Sequence, residues 1–472
     1  MWAVLTVEGS LAVWVLVLLA ADVIVPAARK ASLWLLALAG IGAALGLLAA
    51  TPLSWVNRSF QGMFLLDRFA IYYKWLFLLT GAVVVVMTRH FDRHRLAHPG
   101  AFFMLLFTAL LGMLILASIN DLLLLFIGLE LLTFSLYVMT AYLKTEPKAI
   151  EAGMKYLILG SVSGGFLVYG ISLLYGATGG TSFDVLRAAL SAAGPVPWNV
   201  QAGMLLVLAA LGFKVAMVPF HLWVPDVYEG APTPVVALLS VGSKMAGIVA
   251  ILRVFFGVFA PLQAVWANLV AVLAAATMLY GNLGALAQTN IKRLLGYSSI
   301  SHAGYLLMGV STASAAGATA VGYYLLAYLA SNLTVFLAVA AASEAVGGDG
   351  LDGYNGLSKR SPLLAASLFI GLLSLAGVPP LAGFIGKLLV LLATMESGRL
   401  WLVVVGSLNV AISLYYYLMV VRRMYLLPPT SHDPIAVDGP TRFVCLALVI
   451  SVLLIGVFQE PFLQQIALAV LR

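Results

Sequence analysis

Three lysines and one glutamate stand where hydrocarbon should surround them. Lys214 lies deep in the apolar run that ends at Pro219, and Lys244 has about ten mostly apolar residues on either side. Lys387 follows the apolar run that carries Pro379 and Pro380, and Glu130 interrupts a leucine-rich stretch. A charge at mid-membrane depth costs at least ~2.5–3.5 kcal/mol, so such groups are kept for a function. Snorkelling serves basic residues near helix ends, and Lys244 has no such exit. The chemistry these types support is proton transfer. A desolvated amine holds its proton weakly, a nearby carboxylate strengthens that hold, and a change in their separation moves the proton.

Glu130, expected as the one acid well inside the apolar spans, is the natural partner of Lys214. Lys244 and Lys387 then hand the proton onward through water. His221 and His302 are candidate relays, because imidazole titrates near neutral pH. The hydroxyls of Ser298, Ser299 and Ser301 surround His302 in sequence and could hold water. For His221, beside Trp223 near a helix end, an ordinary interfacial side chain is nearly as good an account. Lys155, about one turn into its helix, is a secondary candidate. Lys74 and Arg253 lie nearer helix ends, where snorkelling is expected. Asp226, Tyr228 and Glu229 fall in the proline-rich hairpin 224–234, where capping and loop fixing are the expected roles.

The elements that must position these groups follow from composition. Of 472 residues, 63% are hydrophobic and only 9% charged, against roughly a quarter in soluble domains. The chain is therefore read as an all-α integral membrane protein. Its net charge of +7 is spread over loops, with no arginine-rich arm or aromatic platform for nucleic acid. One cysteine, Cys445, excludes a disulfide framework and any cysteine-based metal or iron–sulfur site in this chain. The histidines fall in no metal-ligand spacing.

Apolar runs of about 20 residues predict some fourteen spans: 10–28, 32–50, 70–88, 101–119, 121–143, 154–176, 202–222, 235–258, 264–287, 297–312, 319–343, 363–393, 402–425 and 442–459. Loops on one side then hold Arg29, Lys30, Arg89, Arg93, Arg95, Lys144, Lys148, Lys292, Arg293, Lys359, Arg360, Arg422, Arg423 and Arg442. Those on the other hold only Arg58, Arg68, Arg187, Arg399 and Arg472. Positive-inside sorting places the first set in the cytoplasm and both termini on the outer face. Pro219 and the Pro379-Pro380 pair break two spans, each with a lysine beside the break. Matched interruptions of this kind predict two inverted five-helix repeats. The expected organisation is 1–100 (three N-terminal helices), 101–258 and 259–425 (the repeats, spans four to eight and nine to thirteen), and 426–472 (a loop and a last helix).

The stretch Pro219-Phe-His-Leu-Trp-Val-Pro-Asp-Val-Tyr-Glu-Gly-Ala-Pro-Thr-Pro234 resembles the antiporter-like subunits of respiratory complex I. The Asp-Val-Tyr-Glu-Gly hairpin and Ser240-Val-Gly-Ser-Lys244 are most similar to subunit N of proton-translocating NADH:quinone oxidoreductase. The segments Glu151–Ser161, Asn290–Ser299 and Gly377–Phe384 extend the likeness over about residues 100–425. The stretch after Val457 is too short for the long lateral helix of the largest relative. The resemblance implies that Glu130 is the fifth-helix glutamate and Lys214 the seventh-helix lysine with which it pairs. Lys155 would be the sixth-helix lysine, Lys244 the connecting one of the eighth helix, and Lys387 the twelfth-helix residue leading to the exit. It further implies a translocase subunit of a bacterial plasma membrane, with no cofactor of its own. NADH, FMN, iron–sulfur clusters and quinone would belong to partner subunits, reached through other membrane-arm subunits. The competing expectation is a cation/proton antiporter subunit with no redox partner, since those proteins share the lysine–glutamate core. A purely structural scaffold would leave three mid-membrane amines without a purpose.

Overall fold

The computed structural model describes residues 5–52, 57–90, 98–191, 196–429 and 431–470. Arg93, Arg95 and Arg472 lie outside them. Apart from a short antiparallel hairpin (Asn57–Ser59 with Phe64–Leu66) and isolated bridges, the described residues form helices and their connections. Eleven helices are long and apolar enough to cross a membrane. The other three expected spans fall on the 17-residue helix Leu33–Ala49, on Ile291–Ser311, and on the pair Pro362–Ala376 and Ala382–Glu396. Ile291–Ser311 is more polar because it carries Ser298, Ser299, Ser301 and His302, but almost every residue in it is buried by neighbouring helices. Several boundaries move: the first helix is Thr6–Ile24, and the sixth expected span lengthens to Pro147–Thr178.

Thr233–Gly257 and Ala315–Ser343 are apolar around most of their circumference and form the centre of the bundle. Outer helices turn large apolar side chains such as Phe134, Val138, Ile158 and Val162 away from it. Gln263–Ala285 and Ile291–Ser311 pack together most extensively among the described helices. There a Cβ on Gly281 would lie 2.4 Å from the backbone nitrogen of Ser301, so the two axes approach only because that residue is glycine.

Both proline breaks have the same backbone. Trp198–Val215 ends at Ala216, which takes the left-handed conformation (φ 66°), and Met217 N–H returns to the Gly212 carbonyl at 2.8 Å. Pro362–Ala376 ends at Gly377 (φ 90°), and Val378 N–H returns to the Leu373 carbonyl at 3.0 Å. In each, a cis proline stands three residues beyond the left-handed one, at Pro219 and Pro380. A left-handed alanine costs about 1–2 kcal/mol, which glycine avoids, so the packing around Ala216 must hold it there.

After the first break the chain makes the short helix Val224–Gly230, whose acids are tied to two other helices, Pro147–Thr178 and Ile291–Ser311. Asp226 accepts from Lys155 at 2.6 Å and Arg293 at 2.7 Å, and Glu229 accepts from Lys148 at 2.9 Å and Arg293 at 3.1 Å. Glu151 also meets Lys155, at 2.7 Å. Burial alone would raise both hairpin carboxyls, but the hydrogen bonds from Lys155, Lys148 and Arg293 outweigh it and hold them below the usual range. A carboxylate with a depressed folded-state value adds stability above its unfolded value and loses it as pH falls through the folded one. The cluster's contribution is therefore expected to stay level between about pH 6 and 8 and to fade below about pH 4. Asp226→Asn should lower the neutral-pH stability of the purified assembly by about 1 kcal/mol, these being partly exposed pairs, and should flatten the acid limb of its melting-temperature curve.

Candidate functional site

The helices Leu122–Thr140, Pro147–Thr178 and Trp198–Val215 assemble the first group. Glu130, Thr133, Gly160, Ser163, Gly164 and Lys214 line a cavity of about 20 Å³, room for about one water. The buried Lys214 ammonium donates to the Thr133 hydroxyl at 2.9 Å and to the Tyr156 phenol at 3.4 Å. Glu130 faces it across the cavity rather than pairing with it directly. A Cβ at Gly164 would lie 2.9 Å from Glu130 Oε1, so glycine there leaves the carboxylate its room. The broken helix end beside Lys214 is closed by Trp223, whose indole donates to the Phe213 carbonyl at 3.1 Å and stacks on Tyr156 at 4.6 Å.

Lys244 belongs to the neighbouring span, immediately after a wide π turn over Leu239–Ser243 that rotates it inward. Its ammonium donates to the Ser299 carbonyl and to the Ser299 hydroxyl. That hydroxyl also meets Tyr228 at 3.1 Å and Tyr328 at 3.2 Å, and Tyr328 continues to Ser240 at 2.8 Å and Asn332 beyond it. Two contacts join this group to the first. The Lys214 stem packs on Gly247, where a Cβ would lie 3.2 Å from its Cγ. The buried Ser243 hydroxyl lies beside Tyr156, without a well-directed hydrogen bond of its own.

His302 forms the third group. Its Nδ1 meets the Tyr324 hydroxyl at 2.7 Å, its Nε2 meets Tyr417 at 3.1 Å, and its ring lies 5.0 Å from that of Tyr328. Tyr417 continues to the Ser298 hydroxyl. Lys244 and Lys387 are the charged groups that act on the imidazole. The Lys387 ammonium donates at 3.0 Å to the Ala376 carbonyl and sits 5.0 Å above the Tyr305 ring. Ala376 ends the first half of the broken helix, so its carbonyl lies at the negative pole of that helix's dipole. Lys214 occupies the last turn of its own broken helix. Each amine thus lies at the carbonyl end of an interrupted helix.

The structure places Lys214, Lys244, His302 and Lys387 in neighbouring buried groups along one run, with Glu130 at its edge. Hydrogen bonds are continuous from Lys244 through Ser299 to Tyr328 beside His302. Lys155 lies elsewhere, in the partly exposed hairpin cluster. His221 is also apart: it packs edge-on against Tyr280 at 4.0 Å, and neither ring nitrogen has a well-directed hydrogen bond. The expectation that Lys74 snorkels is incorrect. It is fully buried, pairs with Glu8 of Thr6–Ile24 at 2.6 Å, and lies 5.0 Å from the Phe64 ring. Arg253 likewise turns inward, onto Asp67. Glu130 is half-buried, and it is not the one acid held inside the bundle. Glu8 is buried, and Asp22 accepts from the Gly100 N–H at 3.0 Å beside Lys30.

Sequence reasoning missed the hydroxyls: Thr133, Tyr156, Tyr328, Tyr324 and Tyr417. One signal was available. Tyr324, Tyr328 and Asn332 recur every four residues, a polar stripe on one face of an otherwise apolar helix.

The family model for the transmembrane region of NADH:quinone oxidoreductase and Mrp antiporter subunits matches residues 119–413. The chain is 38% identical to the NADH-quinone oxidoreductase subunit N of Desulforamulus reducens, over 98% of this chain and 97% of that one. Its fold is similar to a chain of respiratory complex I from Thermus thermophilus, with a TM-score of 0.83 and 31% identity over 98% of this chain and 99% of that one. A chain of the Mrp complex from a Dietzia species has the same fold (TM-score 0.87, covering 98% and 97%), but at 24% identity the likeness is of fold alone. Its conformity over nearly its full length to these relatives places the chain in the NADH:quinone oxidoreductase/Mrp antiporter membrane-subunit family, in the subunit N branch.

Proposed function

We propose that this chain is the membrane subunit N of a proton-translocating NADH:quinone oxidoreductase and that it moves protons along its buried run of amines and hydroxyls. The observation that carries the reading is the set of partners around the amines. Lys214, Lys244 and Lys387 are buried, and their hydrogen bonds go to neutral hydroxyls and carbonyls. An ammonium so placed can give up its proton without stranding a carboxylate beside it. When Glu130 closes across the small cavity the proton is held, and when it withdraws the proton is free to leave. The Ser243 hydroxyl is placed to pass it toward Lys244, and the Ser299–Tyr328 pair toward His302. From His302 the Tyr324 hydroxyl leads toward Lys387, the last step crossing the Tyr305 ring through water.

In this reading the chain does no redox chemistry. NADH, FMN, iron–sulfur clusters and quinone belong to partner subunits, which supply the driving signal. The like backbones of the two breaks support two related halves, 101–258 and 259–425, flanked by 1–100 and 426–472. The loop charges support a bacterial plasma membrane location with both termini on the outer face.

Two tests use the assembled complex in membrane vesicles. Lys214→Ala and Glu130→Ala should each lower proton uptake per quinone reduced by about twofold or more with assembly intact on native gels, and wild-type uptake in both would end the reading. Ser299→Ala leaves Lys244 with only a carbonyl, and should slow coupled uptake by roughly tenfold, the loss of one charge-assisted hydrogen bond of about 1.5 kcal/mol. An unchanged rate would remove Ser299 from the route.

A further inference from the structure

Among the described residues outside that run, Lys74 is the most deeply buried lysine, and its partner belongs to the first helix. Lys74 is the seventh residue of Arg68–Met87, some 10 Å along the helix from its Asp67 cap, and Glu8 is the third residue of Thr6–Ile24. Both precede the stretch that the family model covers, residues 119–413. The Lys74 ammonium meets Glu8 Oε1 at 2.6 Å and lies 5.0 Å from the Phe64 ring. The charges are close but not well directed: neither Glu8 oxygen, nor the Lys74 ammonium, nor the hydroxyl of the adjoining residue Tyr73 makes a well-formed hydrogen bond.

A buried ion pair is a poor way to hold helices together. Its desolvation penalty offsets most of the attraction unless further hydrogen bonds satisfy both ions, and here they do not. Thr6–Ile24 already packs along Pro99–Ala117, where Gly100 and Asp22 make close backbone contact. An ionisable pair kept inside a membrane bundle under these terms points to a function other than clamping. Two glutamate–lysine sets thus contain a buried lysine among the described residues, Glu130 with Lys214 separated by a cavity and Glu8 with Lys74 in contact.

We propose that Glu8 and Lys74 form a second proton-exchange site near the outer face, one that works with the buried run; this rests on the proton-translocating reading and orientation given above. A proton reaching Glu8 neutralises its carboxylate and releases the ammonium. Lys74 then gives a proton to outer water, and the Glu8 proton passes to the free amine, restoring the closed pair with one proton carried across. The adjoining tyrosines have charged or titratable neighbours of their own: Tyr72 has Tyr323 on Ala315–Ser343, and Tyr73 has Arg253, which is met by Asp67. Tyr73 faces the helix Ala315–Ser343. Its hydroxyl lies 3.3 Å from where a Cβ on Gly322 would stand, two residues from the Tyr324 that bonds His302.

Lys74→Arg is the decisive variant. It keeps both charges and any clamping effect, but a guanidinium is not deprotonated in proteins. In the assembled complex, Lys74→Arg and Glu8→Gln should each reduce proton uptake per quinone reduced by about twofold or more, with native-gel assembly unchanged. Lys214→Ala is measured alongside. Wild-type uptake in Lys74→Arg with impaired Lys214→Ala overturns this site and leaves the main path standing. Wild-type uptake in Lys214→Ala overturns the path itself. Should Lys74→Arg not assemble, the neutral pair Glu8→Gln with Lys74→Gln decides: normal uptake, or failure to assemble, makes the pair a structural clamp and ends the proposal.

Discussion

An ammonium buried in a membrane bundle must be answered by oxygen, and the architecture around the three central lysines is arranged to supply it without a full negative charge. Lys214 has two hydroxyls, Lys244 a hydroxyl and a carbonyl of one serine, and Lys387 the carbonyl that ends a helix. A carboxylate in contact would fix the proton in place. Hydroxyls and carbonyls satisfy the geometry while leaving the charge removable, and a hydroxyl can both accept and donate.

One broken helix serves that need directly: its early end frees the Ala376 carbonyl for Lys387, whereas Lys244 shares the Ser299 carbonyl inside the unbroken Ile291–Ser311. The two breaks share one backbone, with a left-handed residue three before a cis proline. They differ in how the left-handed position is filled. Gly377 also makes room for the Lys387 stem, since a Cβ there would lie 3.0 Å from Lys387 Cδ. Ala216 is strained instead, and Trp223 seals the helix end beside it. The π turn before Lys244 is a milder solution: it leaves the helix continuous and alters only which way the next side chain points.

The short helix after the first break ties surface to interior. Asp226 and Glu229 on it are held by Lys148, Lys155 and Arg293, while Tyr228 reaches inward to the hydroxyl that serves Lys244. The hairpin acids therefore act as the fasteners expected from their setting, and Lys155 is one of their partners. A shift of that helix would be felt both at its ion cluster and at Ser299.

The sequence by itself determined the membrane class, the places of the spans, both breaks and the four central ionisable residues. Each of these is a property of one stretch of chain: hydrophobic length, a missing proline donor, a charge too far from either end to escape. Only the tertiary structure decided who meets whom. The cavity between Glu130 and Lys214, the serine shared by Tyr228, Tyr328 and Lys244, and the exclusion of Lys155 and His221 from the run all depend on helices far apart in sequence. Lys74 marks the boundary most clearly. Its distance from the helix end suggested an exit to water, but Glu8, from another helix, closed it, and hydropathy along one helix carries no record of what another helix brings to its side.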